Sequence, residues 1–288
     1  MEIKELFGLT GKNVAITGSA SGMSRAATEM LIALGANVYA VDIADIDLPV
    51  TAAFKADMSD KEQVDAWLAS LPEEIEAVFL CHGIAGKPGI WHKMFQINFI
   101  SQKYVAEALL PRMAEGGSIT FISSMGGLGW QRMYADLQGL IEAEGWEGQE
   151  AWYEAHVDLV DGDPNPYAVS KKALNSYVTK KCMDPAYVAK HIRVNTICPG
   201  MTNTGLTNAF NTGAGGGDAE AGAKALDATF TAVWGGQNAT PEQMGYPLVV
   251  LGSQISSYIS GVNLLIDHGV SAWWEGNGIL GEGPAGVF

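Results

Sequence analysis

The sequence predicts an α/β fold: a single doubly wound parallel sheet of about seven strands with helices on both faces. Short apolar runs alternate with longer amphipathic stretches through most of the 288 residues. A glycine-rich turn joins the first apolar run to the first long helix. No linker-like stretch and no internal repeat divides the chain, so one domain spans residues 1–288. Strand–helix alternation makes right-handed βαβ crossovers, and these cover a parallel sheet on both sides.

Asn13 to Thr17 (Asn-Val-Ala-Ile-Thr) is a short run of the kind buried on both sheet faces, and a helix from about Gly22 to Leu34 follows. Asn37 to Asp42 is the second strand and Ala52 to Lys55 a shorter third. Ser59-Asp-Lys-Glu62 has the Ser-x-x-Glu spacing of a capping box and starts the next helix. Ala77 to Cys81 and Ser118 to Ser123 are the fourth and fifth strands, with a long helix from about Trp91 to Met113 between them. A helix carrying Tyr167 and Lys171, a strand at Ile192 to Ile197 and a last strand at Asn263 to Ile266 complete the series.

Two segments break this rhythm. Residues 128–165, just before the tyrosine helix, hold Trp130, Tyr134, Trp146, Trp152 and Tyr153 and read as a packed insertion. Residues 203–236 contain Gly213-Ala-Gly-Gly-Gly217 and read as a mobile lid over a substrate site.

The net charge of −15 comes without a basic patch, which argues against a nucleic-acid partner. No apolar run approaches the length of about 18–20 residues that a membrane span needs. The start, Met-Glu-Ile-Lys-Glu-Leu-Phe, has no secretory pattern. Cys81, Cys182 and Cys198 are an odd set without metal spacing, and the five histidines have none either. No metal is expected, and the expected location is the cytoplasm.

The chemistry concentrates in three motifs. Thr17-Gly18-x-x-x-Gly22-x-Ser24 lies between strand and helix, where glycines let the backbone approach a pyrophosphate at the helix start. Ser24 replaces a third glycine and is small enough to keep the packing close. The second strand ends at Asp42, whose carboxylate can accept both ribose hydroxyls of NAD and repels the extra phosphate of NADP. Neither Ser21 nor Ile43 is a cation that would welcome that phosphate. This is the start of a Rossmann-like nucleotide fold. Tyr167 and Lys171, four apart, share a helix face. A nearby ammonium is expected to lower the phenol from its ordinary value near ~10, making it an acid or base near neutrality.

With these motifs in this order, the chain resembles the short-chain dehydrogenase/reductase family from about Leu9 to Gly269. Asn98 in Gln-Ile-Asn-Phe, Ser124 in Ile-Ser-Ser-Met, Tyr167 and Lys171 match the family's catalytic tetrad. The resemblance implies NAD held by Gly18, Ser21, Gly22, Met23, Asp42, Ile43, Asp57, Met58, Gly83, Tyr167, Lys171, Pro199, Gly200, Thr202 and Thr204. It also implies a substrate touching Ser124, Trp130, Tyr167, Met201 and Leu206, with Phe210 nearby. Cys81-His82-Gly83 departs from the usual Asn-Ala-Gly, and His268 stands in place of a common glycine. Ser124 and Tyr167 lie 43 positions apart, far more than in most members. That spacing, the short link after Asp42 and the Ile266-Asp-His-Gly-Val-Ser-Ala tail resemble the bacterial 3α-hydroxysteroid dehydrogenase/carbonyl reductase branch.

The implied activity is NAD-dependent exchange between a bulky apolar secondary alcohol and its ketone. Tyr167 moves the proton, Ser124 binds the substrate oxygen, Lys171 depresses the tyrosine pKa and binds the nicotinamide ribose, and Asn98 binds a water leading from Lys171 to solvent. A homodimer or homotetramer is implied as well. The alternatives are a small or aromatic alcohol as substrate, or a catalytically silent NAD-binding sensor. A trans-enoyl reductase would space tyrosine and lysine more widely, and a halohydrin dehalogenase would carry arginine in place of Lys171.

Overall fold

The computed structural model describes residues 2–277. Seven strands form one parallel sheet in the order β3-β2-β1-β4-β5-β6-β7. They are β1 (Asn13–Thr17), β2 (Asn37–Asp42), β3 (Ala52–Lys55), β4 (Ile75–Leu80), β5 (Met113–Ile122), β6 (Arg193–Pro199) and β7 (Asn263–Ile266). Among the described residues, helices of eight residues or more are α1 (Gly22–Ala33), α2 (Lys61–Ser70), α3 (Ser101–Leu109), α4 (Gly145–Ala155), α5 (Pro166–Lys181), α6 (Thr207–Ala214), α7 (Ala219–Leu226) and α8 (Pro241–Gly252).

Two apolar cores lie on the two faces of the sheet. One joins Ala27 and Leu31 of α1 with Met244, Leu248 and Val249 of α8. The other joins Val64 and Trp67 of α2, Val105 and Leu109 of α3, and Val169 and Tyr177 of α5. The strand order reverses between β1 and β4, which opens a crevice at the carboxyl ends of the strands.

Local contacts adjust several expected boundaries. β5 begins at Met113, five residues before Ser118, because Met113 pairs with Ile75 across a register shift. Asp60, not Ser59, caps α2: its carboxylate accepts from the Glu62 and Gln63 backbone N–H groups. Ser59 donates instead to Asp57, and the expected capping box is therefore absent. The long helix after Trp91 is interrupted by a π turn at Gln96–Ile100.

Residues 128–165 contain α4 and short helices at Gln138–Glu142 and Val157–Val160. Trp146, Trp152 and Tyr153 are buried in the core shared with α3 and α5. Trp146 meets Tyr104 edge-on at 5.7 Å, and the buried Lys103 donates to the Ala143 carbonyl at 2.6 Å. Within 203–236, α6 and α7 form a helical hairpin. They cross so closely at Gly222 that a side chain there would run into the Asn211 carbonyl.

Candidate active site

A cleft of about 270 Å³ lies at the strand-order reversal. Gly18, Ser21, Gly22 and Met23 form its floor, Asp42 and Ile43 one end, Asp57 and Met58 a wall, and Gly83 and Thr204 the rest. Gly18 has φ 75°, and a Cβ there would sit 3.2 Å from the His82 backbone, so only glycine fits. Ser21 caps nothing with its side chain, which leaves first-turn N–H groups of α1 open to an anion. Ser24 Oγ donates to the Thr17 carbonyl at 2.7 Å and ties α1 to β1.

The Asp42 oxygens accept from the Ala20 and Ala44 backbone N–H groups, each at 2.9 Å. An ionised carboxylate has about four acceptor positions, so both oxygens keep capacity for ribose hydroxyls. A floor opened by Gly18 and Gly22, an open helix start and a fixed carboxylate together fit an elongated dinucleotide. Thr204 reaches across to Gly22, its methyl 3.4 Å from where a Cβ would stand. Pro199 ends β6 opposite Ile266, and Thr202 donates to the Gly200 carbonyl at 3.0 Å.

Asn98 and Lys171 meet at Gly83, and Ser124 and Tyr167 meet at Gly126. A Cβ on Gly83 would lie 3.2 Å from Asn98 Oδ1 and 3.7 Å from Lys171 Nζ. Ser124 follows β5, and Tyr167 sits in the first turn of α5, whose start is capped by Asn165. Gly126 lies against both, its Cβ position 3.5 Å from Ser124 Oγ and from the Tyr167 ring. Lys171 is buried, donates to the Ile122 carbonyl at 3.1 Å and stands 5.7 Å from the centre of the Tyr167 ring. Phe210 of α6 closes on that ring edge-on at 5.1 Å.

Asn98 lies in the π turn, and its amide bonds the Ile84 backbone in both directions at 2.9 Å. These bonds hold the Gly83–Ile84 loop beside Lys171. The expected lowering of the tyrosine pKa is not found. Burial pushes Tyr167 up to about 12, opposed by its hydrogen bond with Ser124. Burial also brings Lys171 down to about 8, and its ammonium is directed at Ile122. In the protein alone, the phenol keeps its proton at neutral pH.

The family model described as short chain dehydrogenase matches residues 12–135, and that described as Enoyl-(Acyl carrier protein) reductase matches residues 155–271. The chain belongs to the short-chain dehydrogenase/reductase family. A coniferyl-alcohol dehydrogenase from a Pseudomonas species is 28% identical over 266 residues, 92% of this chain and 98% of its own length. The 3-alpha-hydroxysteroid dehydrogenase/carbonyl reductase of Comamonas testosteroni is 28% identical over 263 residues, 90% of this chain and 96% of its own. The crystal structure of a 3-alpha-hydroxysteroid dehydrogenase from Pseudomonas sp. B-0831, complexed with NADH, aligns with TM-score 0.71 at 20% identity, covering 92% of this chain and 98% of that one. This short-chain dehydrogenase/reductase is thus an oxidoreductase.

The expected substrate residues separate. Leu206 lines the first cleft and Met201 a second one. Trp130 lines neither, and instead packs edge-on against Tyr134 at 5.6 Å. Asn175, one helical turn beyond Lys171, went unnoticed in the sequence. Its Nδ2 donates to the Gly127 carbonyl at 3.0 Å, while Ser123 Oγ donates to the Lys171 carbonyl at 3.2 Å. Together these bonds clamp the serine turn onto α5. The available signal was an Asn at i+4 from Lys171 among Ala173, Leu174, Tyr177 and Val178, since buried amides need partners. Asn175→Leu is expected to lower kcat on the order of tenfold while NADH affinity holds within about twofold, measured separately by steady-state rates and fluorescence titration.

His82 lines the cleft of this short-chain dehydrogenase/reductase and is bonded through both ring nitrogens. Thr17 Oγ1 accepts from the Cys81 and His82 backbone N–H groups, so its own hydrogen points to His82 Nδ1 at 2.7 Å. Nε2–H then donates to Ser101 Oγ at 2.8 Å, and Ser101 donates to the Ile97 carbonyl. Burial, with the nearby Lys171 charge, brings the imidazole down to about 3. An unfolded histidine takes up a proton below its ordinary value near ~6.5, and the folded one does not until about 3. Stability therefore falls as pH drops through this window. His82→Asn should remove about 2 kcal/mol of the loss between pH ~6.5 and ~5, read from urea midpoints at the two pH values.

Proposed function

We propose that this oxidoreductase uses NAD to interconvert a neutral, bulky, largely apolar secondary alcohol and its ketone. The observation that carries this reading is the grouping of Tyr167 with Ser124 and Lys171, the last beside Gly83, which lines a cleft whose far end is Asp42. Asp42 would hold the adenosine ribose, the Gly18–Met23 turn the pyrophosphate, Asp57 and Met58 the adenine side, and Lys171 with Pro199, Gly200, Thr202 and Thr204 the nicotinamide end. Bound NAD supplies the hydride acceptor or donor.

The chain's own residues handle the proton. Ser124 Oγ and Tyr167 Oη bind the substrate oxygen; Tyr167 gives its proton in reduction and takes one in oxidation. A phenol that keeps its proton at neutral pH suits the donor role directly.

Neutral substrates are favoured because neither cleft is lined by Lys or Arg, whereas Asp42, Asp57, Glu242 and Asp267 all face one or the other. The relatives named for coniferyl alcohol and hydroxysteroids support this over the one named for 2-keto-3-deoxy-L-fuconate. A primary aromatic alcohol is the second reading, favoured by the coniferyl-alcohol relative.

Residues 128–165 are read as an insertion, which is supported by the stretch from 136 to 154 that neither family model matches. Residues 203–236 are read as the lid. Free thiols support a reducing, cytoplasmic setting, and the half-exposed edge strand β7 supports pairing into a homodimer or homotetramer.

The test is absorbance at the NADH band with NAD⁺ or NADP⁺ and a panel of hydroxysteroids, terpenoid, cyclic and aryl alcohols, and hydroxy acids. Turnover of neutral ring alcohols with NAD⁺ is expected. A preference for hydroxy acids, or for NADP⁺, would overturn the substrate or the cofactor assignment respectively.

A further inference from the structure

We infer that the second cleft, behind Met125 and Met201, receives the non-reacting end of the substrate, an aromatic or fused-ring group bearing a hydroxyl; this rests on the alcohol-oxidoreductase reading above. The cleft measures about 370 Å³, exceeds the nucleotide cleft and shares no lining residue with it. A volume of this size is that of a small-ligand site.

Its position links it to the chemistry. Met125 is the residue directly after Ser124, so the two Cα atoms are about 3.8 Å apart. A Cβ on Gly126, the next residue, would lie 3.5 Å from the Tyr167 ring. Gly200 and Met201 at the end of β6 form the adjoining wall. An alcohol oxygen on Ser124 would therefore place the rest of its molecule at this opening.

The lining defines the occupant. Met125, Met201, Phe230 and Val270 line it and belong to an apolar cluster separate from both sheet cores, which Trp274 backs from outside the cleft lining. Thioethers and ring faces suit a flat, polarisable group. At the mouth Trp234 is 54% exposed and meets His268 edge-on at 4.7 Å. His268 has φ 58°, a conformation that non-glycine residues rarely adopt, and it holds its ring at the rim. Glu242 and Asp267 offer acceptors and no cation accompanies them, so a hydroxyl is favoured and a carboxylate repelled.

The test uses 2-naphthol, which has the ring and hydroxyl but no oxidisable carbinol, titrated by calorimetry into the full chain. Ala239 lines the cleft, half-buried, and its backbone bonds to Met201 and Asn203 do not involve the side chain. Ala239→Phe should weaken naphthol at least about tenfold, and Trp234→Ala about threefold, with thermal midpoints and NADH affinity retained. Ala239→Phe should also lower the ratio of kcat/KM for 4-phenyl-2-butanol over 2-butanol by about tenfold. Absence of naphthol binding to the native protein, or equal binding to native and Ala239→Phe, overturns the inference. If neither alcohol is oxidised, the alcohol-oxidoreductase reading fails, while the calorimetry still decides whether the cleft takes a ring.

Discussion

Exchange of Tyr167 for phenylalanine is expected to lower turnover by about three to four orders of magnitude, the upper range for a lost acid–base group. Only one oxygen leaves. The edge contact with Phe210 and the Lys171 ammonium near the ring persist, so fold and NADH affinity should hold within about twofold. Steady-state rates in both directions, with NADH titration by fluorescence, separate the two effects. The pH profile gives the sign. Oxidation needs the phenol to lose the proton that burial holds up to about 12, so its rate rises with pH; reduction uses the protonated phenol and is already competent at neutrality. Substantial residual turnover in Tyr167→Phe would remove Tyr167 from the chemistry.

Replacing Asp42 by serine has the second largest expected effect, and it acts on cofactor choice. A charged acceptor for hydroxyls contributes about 1.5–3 kcal/mol, so kcat/KM with NAD⁺ should drop about ten- to a hundredfold. Loss of the negative charge also relieves repulsion of the NADP⁺ phosphate, so the NAD⁺ to NADP⁺ ratio should move further than either rate alone. The Ala20 and Ala44 N–H groups lose their acceptor, which should lower the thermal midpoint as well. Parallel initial rates with the two cofactors check this.

Wherever the signal was local, the sequence was legible. β1, β2, β3 and β7 start and end where the apolar runs do, and the glycine turn lies at the head of α1. Features set by distant partners were hidden. The π turn at Asn98 accompanies its bonds to Ile84, 14 positions away. The extra length of β5 comes from pairing with β4 through a polar Ala-Glu-Gly-Gly stretch that carries no apolar pattern.

Aromatic content marked residues 128–165 as packed, yet composition cannot tell a side chain aimed at the core from one aimed at a cleft. Trp146 and Trp152 took the first course. The glycines of 213–217 were read as mobile from composition, which does not report that Gly215 meets Gly222 where α6 and α7 cross. The tyrosine–lysine pair was read from charge alone, and burial, which sequence does not report, moved both groups toward their neutral forms.

The most direct test of the central claim is isotopic. The protein is incubated with NAD⁺ and a neutral ring alcohol deuterated at the carbinol carbon, and the nucleotide product is examined by mass spectrometry and proton NMR. Deuterium at C4 of NADH, lost in Tyr167→Phe, is the expected result. Oxidised product with the label in water, or unlabelled NADH, would contradict hydride transfer at this site.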